Sequence, residues 1–286
     1  MEQDIIVLGC GPAGLSAAVA ARSRNKRVLV IGNPVEESPL ARAERVDNYL
    51  GLPGLTGLEL LQTMKKHAET MGAQMLAGRV NAIMAWNGSF ALTVGSDVYQ
   101  GRALILAPGV VHATKYPGEE KLLGRGVSYC ATCDGMLYRG RRVMVVGRTK
   151  DAPEEANFLQ SIGCRVAYVS KERPEHLKME VDHLSGTKLE VLGEDRVTGL
   201  RLDGEEHPCD GVFILRQAVA PGDLLPGLAV EDGSITVNRA METNLEGVFA
   251  AGDCTGKPWQ VSKAVGEGLI AGECAAEYLD NLQKNT

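Results

Sequence analysis

The segment DIIVLGCGPAGLSAAVAARSRNKRVLVIG, residues 4–32, decides the fold of this chain. It reads as an apolar strand, a glycine-rich turn, an alanine-rich helix and a second apolar strand, the first β-α-β unit of a parallel sheet. Its glycines, Gly9, Gly11 and Gly14, have the spacing G-x-G-x-x-G. The first permits a tight turn, the second lets the backbone approach a pyrophosphate, and the third lets the helix pack on the strand. Because the phosphates would meet the helix N-terminus, the segment predicts a dinucleotide-binding site rather than a glycine turn that binds nothing.

A second strand-turn-helix unit, VMVVGRTKDAPEEANFL, spans residues 143–159. It has the layout of another dinucleotide site, yet Gly147 is the one glycine left in its turn. The segment therefore raises the question of whether a nicotinamide cofactor still binds there.

Length and composition set limits on the class of protein. A chain of 286 residues with a net charge of −6 is long enough for two domains and gives no electrostatic reason to expect nucleic acid or a membrane surface. The start, MEQDIIVLGC, enters a strand at once and is unlike a secretory signal, so we expect a cytoplasmic protein. Seven scattered cysteines favour a reducing compartment with one special pair over a disulfide framework.

Two later strands also end in glycine: LILAPG at 104–109 and TNLEGVFAAGDC at 243–254. Asp253 follows the second, where it can serve a ribityl chain or a phosphate, although a helix N-cap is an alternative role. We therefore predict an α/β protein of two domains. Residues 1–113 and 232–286 would form a discontinuous, Rossmann-like FAD-binding domain, and residues 114–231 an inserted smaller α/β domain.

The sharpest chemical feature is VSYCATCDG, residues 127–135, in which two residues separate Cys130 from Cys133. This spacing suits a short, reducible disulfide that takes part in thiol exchange. Half of a zinc site is the rival interpretation, but the remaining cysteines and histidines show no paired spacing, so we predict no metal. Asp134 is a candidate proton shuttle, or simply part of a turn.

Four motifs together resemble the low-molecular-weight thioredoxin reductases. They are GCGPAGLSAAVAA at 9–21, VDNYLGLPGLTGLEL at 46–60, GRGVSYCATCDGMLYRG at 124–140 and LEGVFAAGDC at 245–254. They cover both domains in the order of that family. The resemblance implies the fold of a flavoprotein disulfide reductase, FAD in the larger domain, a redox-active disulfide on the insertion, a homodimer, and thioredoxin as substrate.

The resemblance also implies roles for individual residues. Cys133 would face the flavin, Cys130 would attack the thioredoxin disulfide, and Asp134 would act as acid and base. The positions where the family contacts FAD are Gly9, Gly11, Pro12, Ala13, Gly14, Asn48, Val80, Ala107, Gly109, Gly252, Asp253, Gln260 and Val261. The flavin loop departs from the family pattern, since SPLARAERV stands at 38–46 and Ala-Pro-Gly at 107–109.

The insertion departs further from NADPH-using members of the family. Thr149 and Ala152 stand at the second and third glycine positions of the turn, and the Cβ of Thr149 lies where a pyrophosphate must come close. At 170–173, SKER replaces a basic cluster that reads the 2'-phosphate, and Glu172 adds a repulsive charge. The resemblance thereby narrows to the ferredoxin-dependent flavin thioredoxin reductases, which lack the same two motifs.

Ferredoxin is accordingly the expected electron donor, and because ferredoxins are acidic we expect a basic docking patch. The candidates, which are equally compatible with ordinary solvated charges, are Arg139, Arg141, Arg142, Arg148 and Lys150. Three other functions stay open from the sequence. These are an NADPH-dependent thioredoxin reductase with a divergent cofactor site, an O2-dependent FAD dithiol oxidase, and a flavin-binding redox sensor without turnover.

Overall fold

The computed structural model describes residues 3–86, 88–109, 115–216 and 221–284. The chain forms two compact units, one made of Met1–His112 with Ala220–Thr286 and the other of Ala113–Val219. The sequence places the first domain boundary at 113–114, which lies outside the described residues. The second predicted boundary is 231–232, whereas Pro221–Leu224 already packs against the first unit.

The first unit is built on a seven-stranded mixed sheet of order β3-β2-β1-β6-β5-β4, with β17 pairing the second half of β6. Strands β3, β2, β1, β6 and β17 are parallel, and β4 and β5 add an antiparallel extension. The strands are β1 Gln3–Leu8, β2 Val28–Gly32, β3 Gln74–Ala77, β4 Val80–Trp86, β5 Ser89–Val94, β6 Asp97–Leu106, β15 Val230–Glu231, β16 Ser234–Ile235 and β17 Val248–Ala250, the pair β15 and β16 forming a separate ribbon.

Two long helices cover this sheet. The alanine-rich α1 packs along α7, and small residues at the contact let the backbones approach closely; a Cβ on Gly268 would lie 2.2 Å from the carbonyl oxygen of Ala13. Helix α2 starts with a capping box, in which Thr56 and Glu59 each accept a hydrogen bond from the other's backbone N–H. The helices are α1 Pro12–Ser23, α2 Gly57–Thr70, α6 Pro221–Leu224 and α7 Val261–Lys284, with 3-10 turns at Val35–Glu37, Pro39–Arg42 and Asp253–Thr255.

The second unit has a five-stranded parallel sheet of order β10-β9-β8-β14-β7 and a three-stranded antiparallel sheet of order β11-β12-β13. Its core is apolar, with Phe213 and Val145 fully buried. The strands are β7 Val127–Ser128, β8 Arg142–Gly147, β9 Arg165–Ser170, β10 Asp182–Ser185, β11 Leu189–Gly193, β12 Val197–Leu202, β13 Glu205–Pro208 and β14 Gly211–Leu215. The helices are α3 Glu119–Leu122, α4 Ala131–Asp134 and α5 Ala152–Ser161, with a 3-10 turn at Gly135–Tyr138.

The predicted α/β class with parallel sheets is confirmed. Among the helices of the described ranges, none is both long and apolar enough to cross a membrane.

Candidate functional site

The G-x-G-x-x-G turn joins β1 to α1 in the geometry that its glycines predict. Gly9 has a φ of +120°, and a Cβ there would lie 2.1 Å from the carbonyl oxygen of Ala107. A Cβ on Gly14 would lie 1.9 Å from the carbonyl oxygen of Gly9, so both positions require glycine for protein packing. A Cβ on Gly11, by contrast, would meet no protein atom within 4 Å. Gly11 therefore borders open space at a helix N-terminus that no side chain caps, and this cradle fits a pyrophosphate.

Most of the other predicted FAD contacts lie at the carboxyl ends of the parallel strands in the first unit. Pro12 and Ala13 form the first turn of α1, after β1. Ala107 and Gly109 follow β6, and Gly252 and Asp253 follow β17. Because β1, β6 and β17 are neighbours, the sheet gathers these positions at one edge, where α/β sheets bind ligands. Val80 is buried at the start of β4.

Two predicted FAD contacts that are far apart in sequence meet through their side chains. The amide of Asn48 donates a 2.8 Å hydrogen bond to the side-chain oxygen of Gln260. Val261 follows directly and begins α7. The bond ties the loop before α2 to the residue that precedes α7.

Sequence reasoning missed an ion pair that holds the loop carrying Asp253. The Nζ of Lys263 donates to the carbonyl oxygens of Gly252 and Gly256, at 2.7 and 2.8 Å, and lies 3.0 Å from Glu267. Glu267 in turn accepts the backbone N–H of Gly252 at 2.8 Å. A lysine and a glutamate four residues apart on α7 were the available signal, but the pattern does not reveal that they face this loop. Burial raises the pKa of Asp253, and the charge of Lys263 opposes that rise.

In the second unit Cys130 and Cys133 form a disulfide, with a Cα–Cα distance of 5.3 Å. Cys130 caps the short helix α4, and its Sγ accepts the backbone N–H of Cys133 at 3.1 Å. Cys130 is 3% exposed, whereas Cys133 is exposed. Asp134 follows at the end of α4, half-buried, and its backbone N–H donates to the carbonyl of Cys130 at 3.3 Å. The pair is thus a closed disulfide between one buried and one exposed residue.

The remaining cysteines are free, and burial keeps most of their thiols protonated. It raises the pKa of Cys10, in the glycine turn, to about 11 and that of Cys209 and Cys254 to about 12. These residues behave as small apolar side chains rather than as further exchange thiols. Within the described ranges, no three histidine, cysteine or acidic side chains come together as a metal site.

The second strand-turn-helix unit has a different environment from the first. A Cβ on Gly147 would lie 1.8 Å from the hydroxyl of Tyr168, so this glycine accommodates a buried side chain of β9. The hydroxyl of Thr149 is buried without a hydrogen-bond partner. Arg148 donates from Nε to the hydroxyl of Tyr116 at 2.9 Å. Two tyrosines therefore contact the start of this turn, Tyr168 at Gly147 and Tyr116 at Arg148.

The residues that directly follow three adjacent strands converge on one cluster. Tyr129 follows β7, Arg216 follows β14 and Arg148 follows β8. Both guanidinium groups lie over the ring of Tyr116, at 5.3 Å for Arg216 and 6.0 Å for Arg148. Glu119, completely buried, lies 2.8 Å from Arg216 and accepts hydrogen bonds of 2.8 Å from the Tyr129 hydroxyl and from the backbone N–H of Tyr116. We call these five residues the crevice cluster.

The crevice cluster occupies the switch point of the second sheet. From β8 the chain continues to β9 and β10 on one side of the sheet, whereas β14 and β7 lie on the other side. A doubly wound sheet binds nucleotides where the strand order reverses in this way, at the carboxyl ends of the strands. The two cations of the neighbouring basic segment differ. Arg173 donates to the carbonyls of Val181 and Lys178 at 3.1 and 2.7 Å, whereas Lys171 is exposed.

The five basic residues proposed for docking are all exposed. Among them, Arg148 also donates a hydrogen bond to the hydroxyl of Tyr116. Arg139, Arg141 and Arg142 lie between the 3-10 turn after the disulfide and the start of β8. Trp259, next to Gln260 in the first unit, is about half exposed. The Nζ of Lys257 lies over its ring, 5.5 Å from the ring centroid.

A family model described as pyridine nucleotide-disulphide oxidoreductase matches residues 3–268. The thioredoxin reductase of Listeria monocytogenes is 34% identical over 304 aligned residues, which cover 99% of this chain and 95% of that protein. The chain belongs to the thioredoxin reductase family of these oxidoreductases. Members of this family bind FAD, which the cradle around Gly11 fits, and the protein is a disulfide oxidoreductase of the thioredoxin reductase type. The predicted family and cofactor are confirmed.

Solved structures give the same result. A ferredoxin-flavin thioredoxin reductase from Clostridium acetobutylicum is 43% identical, with a TM-score of 0.87 and 99% of each chain covered. The atypical thioredoxin reductase TRi from Desulfovibrio vulgaris Hildenborough is 30% identical, with a TM-score of 0.76 and 98% of each chain covered. This chain is therefore similar over its whole length to thioredoxin reductases that include a ferredoxin-flavin type.

Proposed function

We propose that this protein is a flavin-dependent thioredoxin reductase that transfers electrons from reduced ferredoxin, by way of FAD and the Cys130–Cys133 disulfide, to thioredoxin. The crevice cluster carries the donor half of this proposal. Arg148, Arg216 and Tyr116 lie at the switch point of the second sheet. A pyridine nucleotide that bound there would have to displace stacked side chains and the buried Glu119–Arg216 ion pair. The 43% identity to a ferredoxin-flavin thioredoxin reductase supports the same donor.

The two units divide the work in this proposal. The first unit is the FAD-binding domain, with the thirteen predicted contacts from Gly9 to Val261, and the second is the inserted domain that carries the disulfide. FAD, when bound, joins single-electron donation by an iron–sulfur protein to the two-electron reduction of a disulfide. Lys263 and Glu267 hold the loop of Gly252 and Asp253 against the cofactor cradle.

The roles of the two sulfurs in the exchange steps are those that the family resemblance implies. Reduction of the disulfide by two electrons and two protons leaves two thiols, and we assign Cys133 as the sulfur that receives the electrons. The thiolate of Cys130 then attacks the thioredoxin disulfide, so a mixed disulfide forms and one thioredoxin sulfur leaves and takes up a proton. The thiolate of Cys133 attacks Cys130, re-forms the internal disulfide and releases the second thioredoxin thiol. Asp134 exchanges protons with these sulfurs.

The burial of Cys130 implies a conformational step before thioredoxin reacts. Because the Cys130 residue is only 3% exposed, we infer that the segment carrying it must move or open before its sulfur reaches a protein disulfide. Arg139, Arg141 and Arg142 are exposed beside the disulfide segment and form the proposed contact with acidic ferredoxin. We further propose a cytoplasmic homodimer, as the family resemblance implies.

One anaerobic experiment tests the donor. The purified holoenzyme is mixed separately with NADPH and with chemically reduced ferredoxin, and the flavin absorbance is followed. We expect ferredoxin to bleach the flavin and NADPH to leave it oxidised. Prompt bleaching by NADPH would overturn ferredoxin as the specific donor.

The variant Cys133→Ser is the matched control for the path beyond the flavin. Its flavin should still bleach with reduced ferredoxin, but thioredoxin reduction, measured with insulin as the final acceptor, should be lost. Thioredoxin reduction by this variant at the rate of the unmodified enzyme would contradict a path through the disulfide.

A further inference from the structure

Glu119 is a completely buried carboxylate outside the predicted set of site residues. An ionised carboxylate removed from water needs a cation and hydrogen-bond donors around it, and Glu119 has both. Arg216, itself only 11% exposed, lies 2.8 Å from Oε2, which also accepts the backbone N–H of Tyr116. The hydroxyl of Tyr129 donates to Oε1 at 2.8 Å. Each oxygen of the carboxylate is therefore tied to a different part of the second unit.

Tyr129 connects this carboxylate to the redox pair, because it is the residue before Cys130. The residue on its other side is also fixed: the hydroxyl of Ser128 accepts the backbone N–H of Cys130 at 3.1 Å and donates to its carbonyl oxygen at 3.2 Å. The ring of Tyr129 is further covered by the guanidinium of Arg216 at 5.9 Å. The two residues that precede Cys130 are thus both held in place by hydrogen bonds.

We propose that Glu119 is a positioning residue for the disulfide: through Tyr129 and Arg216 it fixes the backbone from which Cys130 projects. This inference rests on the proposed exchange role of Cys130 and Cys133, and it is independent of the electron donor. The crevice cluster then has two roles. Its side chains lie where a nucleotide would bind, and they also orient the disulfide.

The expected chemical effect follows from the geometry of ring closure. Two thiols form a disulfide more readily when the chain holds them close and correctly oriented, because less freedom is lost on closure. Loss of the Tyr129 anchor lets Cys130 move relative to Cys133. The equilibrium of the pair with an external dithiol should therefore shift towards the reduced form.

The test measures that equilibrium directly and needs neither ferredoxin nor thioredoxin. The holoenzyme is equilibrated anaerobically in mixtures of reduced and oxidised dithiothreitol, quenched in acid, alkylated and digested with trypsin. Residues 126–139 form one tryptic peptide that contains Cys130 and Cys133 and no other cysteine. Its mass gives the reduced fraction, as two electrons and two protons pass from each dithiothreitol to the enzyme disulfide.

Tyr129→Phe is the decisive variant, because it removes one hydroxyl and keeps the ring. Tyr278→Phe is the matched control. Tyr278 lies on α7 in the first unit, and its hydroxyl also donates a hydrogen bond to a glutamate, Glu246. We expect Tyr129→Phe to shift the equilibrium constant about fivefold towards the dithiol, the equivalent of one ordinary hydrogen bond. The control should match the unmodified enzyme.

The proposal would be overturned if the equilibrium constant of Tyr129→Phe lay within about twofold of that of the control. Such a difference corresponds to much less free energy than one hydrogen bond contributes. Glu119→Ala, where it folds, removes both oxygens and should shift the equilibrium in the same direction. Adding Tyr129→Phe to Glu119→Ala should then shift it no further, because both changes break the same hydrogen bond; full additivity would show that Tyr129 acts independently of Glu119 and would also overturn the proposal. Failure of ferredoxin to reduce the enzyme would leave this measurement unaffected.

Discussion

The hydroxyl of Tyr168 lies over the α-carbon of Gly147, so close that a Cβ on this glycine would be 1.8 Å from it. Tyr168 is buried on β9, and burial raises its pKa to about 12, so the hydroxyl stays neutral. The glycine that remains from a dinucleotide turn is therefore needed to pack a neighbouring strand. Its presence is no sign that a nucleotide still binds.

Replacement of Gly147 by alanine should destabilise the second unit by about 1–3 kcal/mol, because a new methyl group in a packed core forces its neighbours apart. Far-ultraviolet circular dichroism during urea unfolding measures the loss. Both tryptophans, Trp86 and Trp259, lie in the first unit, so their fluorescence transition should change little. Gly266→Ala on α7, where a Cβ meets nothing within 4 Å, is the control and should cost no stability. Equal stability of the two variants would contradict this account.

The sequence predicts the first unit better than the second for a physical reason. A glycine turn between a strand and a helix reports a local backbone requirement, and Gly9 and Gly14 meet it. The two-residue spacing of Cys130 and Cys133 is equally local. The crevice cluster depends instead on Glu119 and Arg216, which are 97 residues apart, and no pattern along the chain brings them together. The spacing of Lys263 and Glu267 is visible in the sequence, but their bonds to Gly252 and Gly256 arise only when the loop folds against α7.

Gly11→Ala separates cofactor binding from folding. Its Cβ would project into open space in the protein alone, so the apoprotein should keep its melting temperature, while FAD affinity falls by about tenfold or more because the methyl group meets the pyrophosphate. Titration of apoprotein with FAD, followed by flavin fluorescence, gives the affinity. Gly14→Ala is the contrasting variant: its Cβ would lie 1.9 Å from the carbonyl oxygen of Gly9, so the apoprotein itself should be destabilised. Unchanged FAD affinity in Gly11→Ala would place the phosphates elsewhere.

Lys263→Met should loosen the loop that carries Asp253. The change removes donors to the carbonyls of Gly252 and Gly256 and leaves Glu267 without its cation, at a cost of about 1–3 kcal/mol. The pKa of Asp253, already raised by burial, should rise further once the lysine charge is gone. Spontaneous release of FAD, followed by fluorescence on dilution, should accelerate. Lys284→Met at the exposed end of the same helix is the control, and equal release rates from both variants would exclude this role for Lys263.

Thiol labelling should distinguish the redox pair from the other cysteines and establish which sulfur is reached first. Burial raises the pKa of Cys10 to about 11, so in the oxidised enzyme at pH 8 its iodoacetamide labelling should be slow and should rise about tenfold per pH unit until that pKa is approached. After reduction with dithiothreitol, Cys133 should be labelled before Cys130, because Cys133 is exposed and Cys130 is buried.

Mass spectrometry of two tryptic peptides, residues 1–22 for Cys10 and residues 126–139 for the pair, follows all three sites in one digest, with fragmentation of the second peptide to separate label on Cys130 from label on Cys133. Faster labelling of Cys130 would mean that the reduced enzyme already presents this sulfur to solvent. The conformational step before attack on thioredoxin would then be unnecessary. Cys133-first labelling would instead support a resting state in which the enzyme offers one sulfur for reduction and protects the one that attacks its substrate.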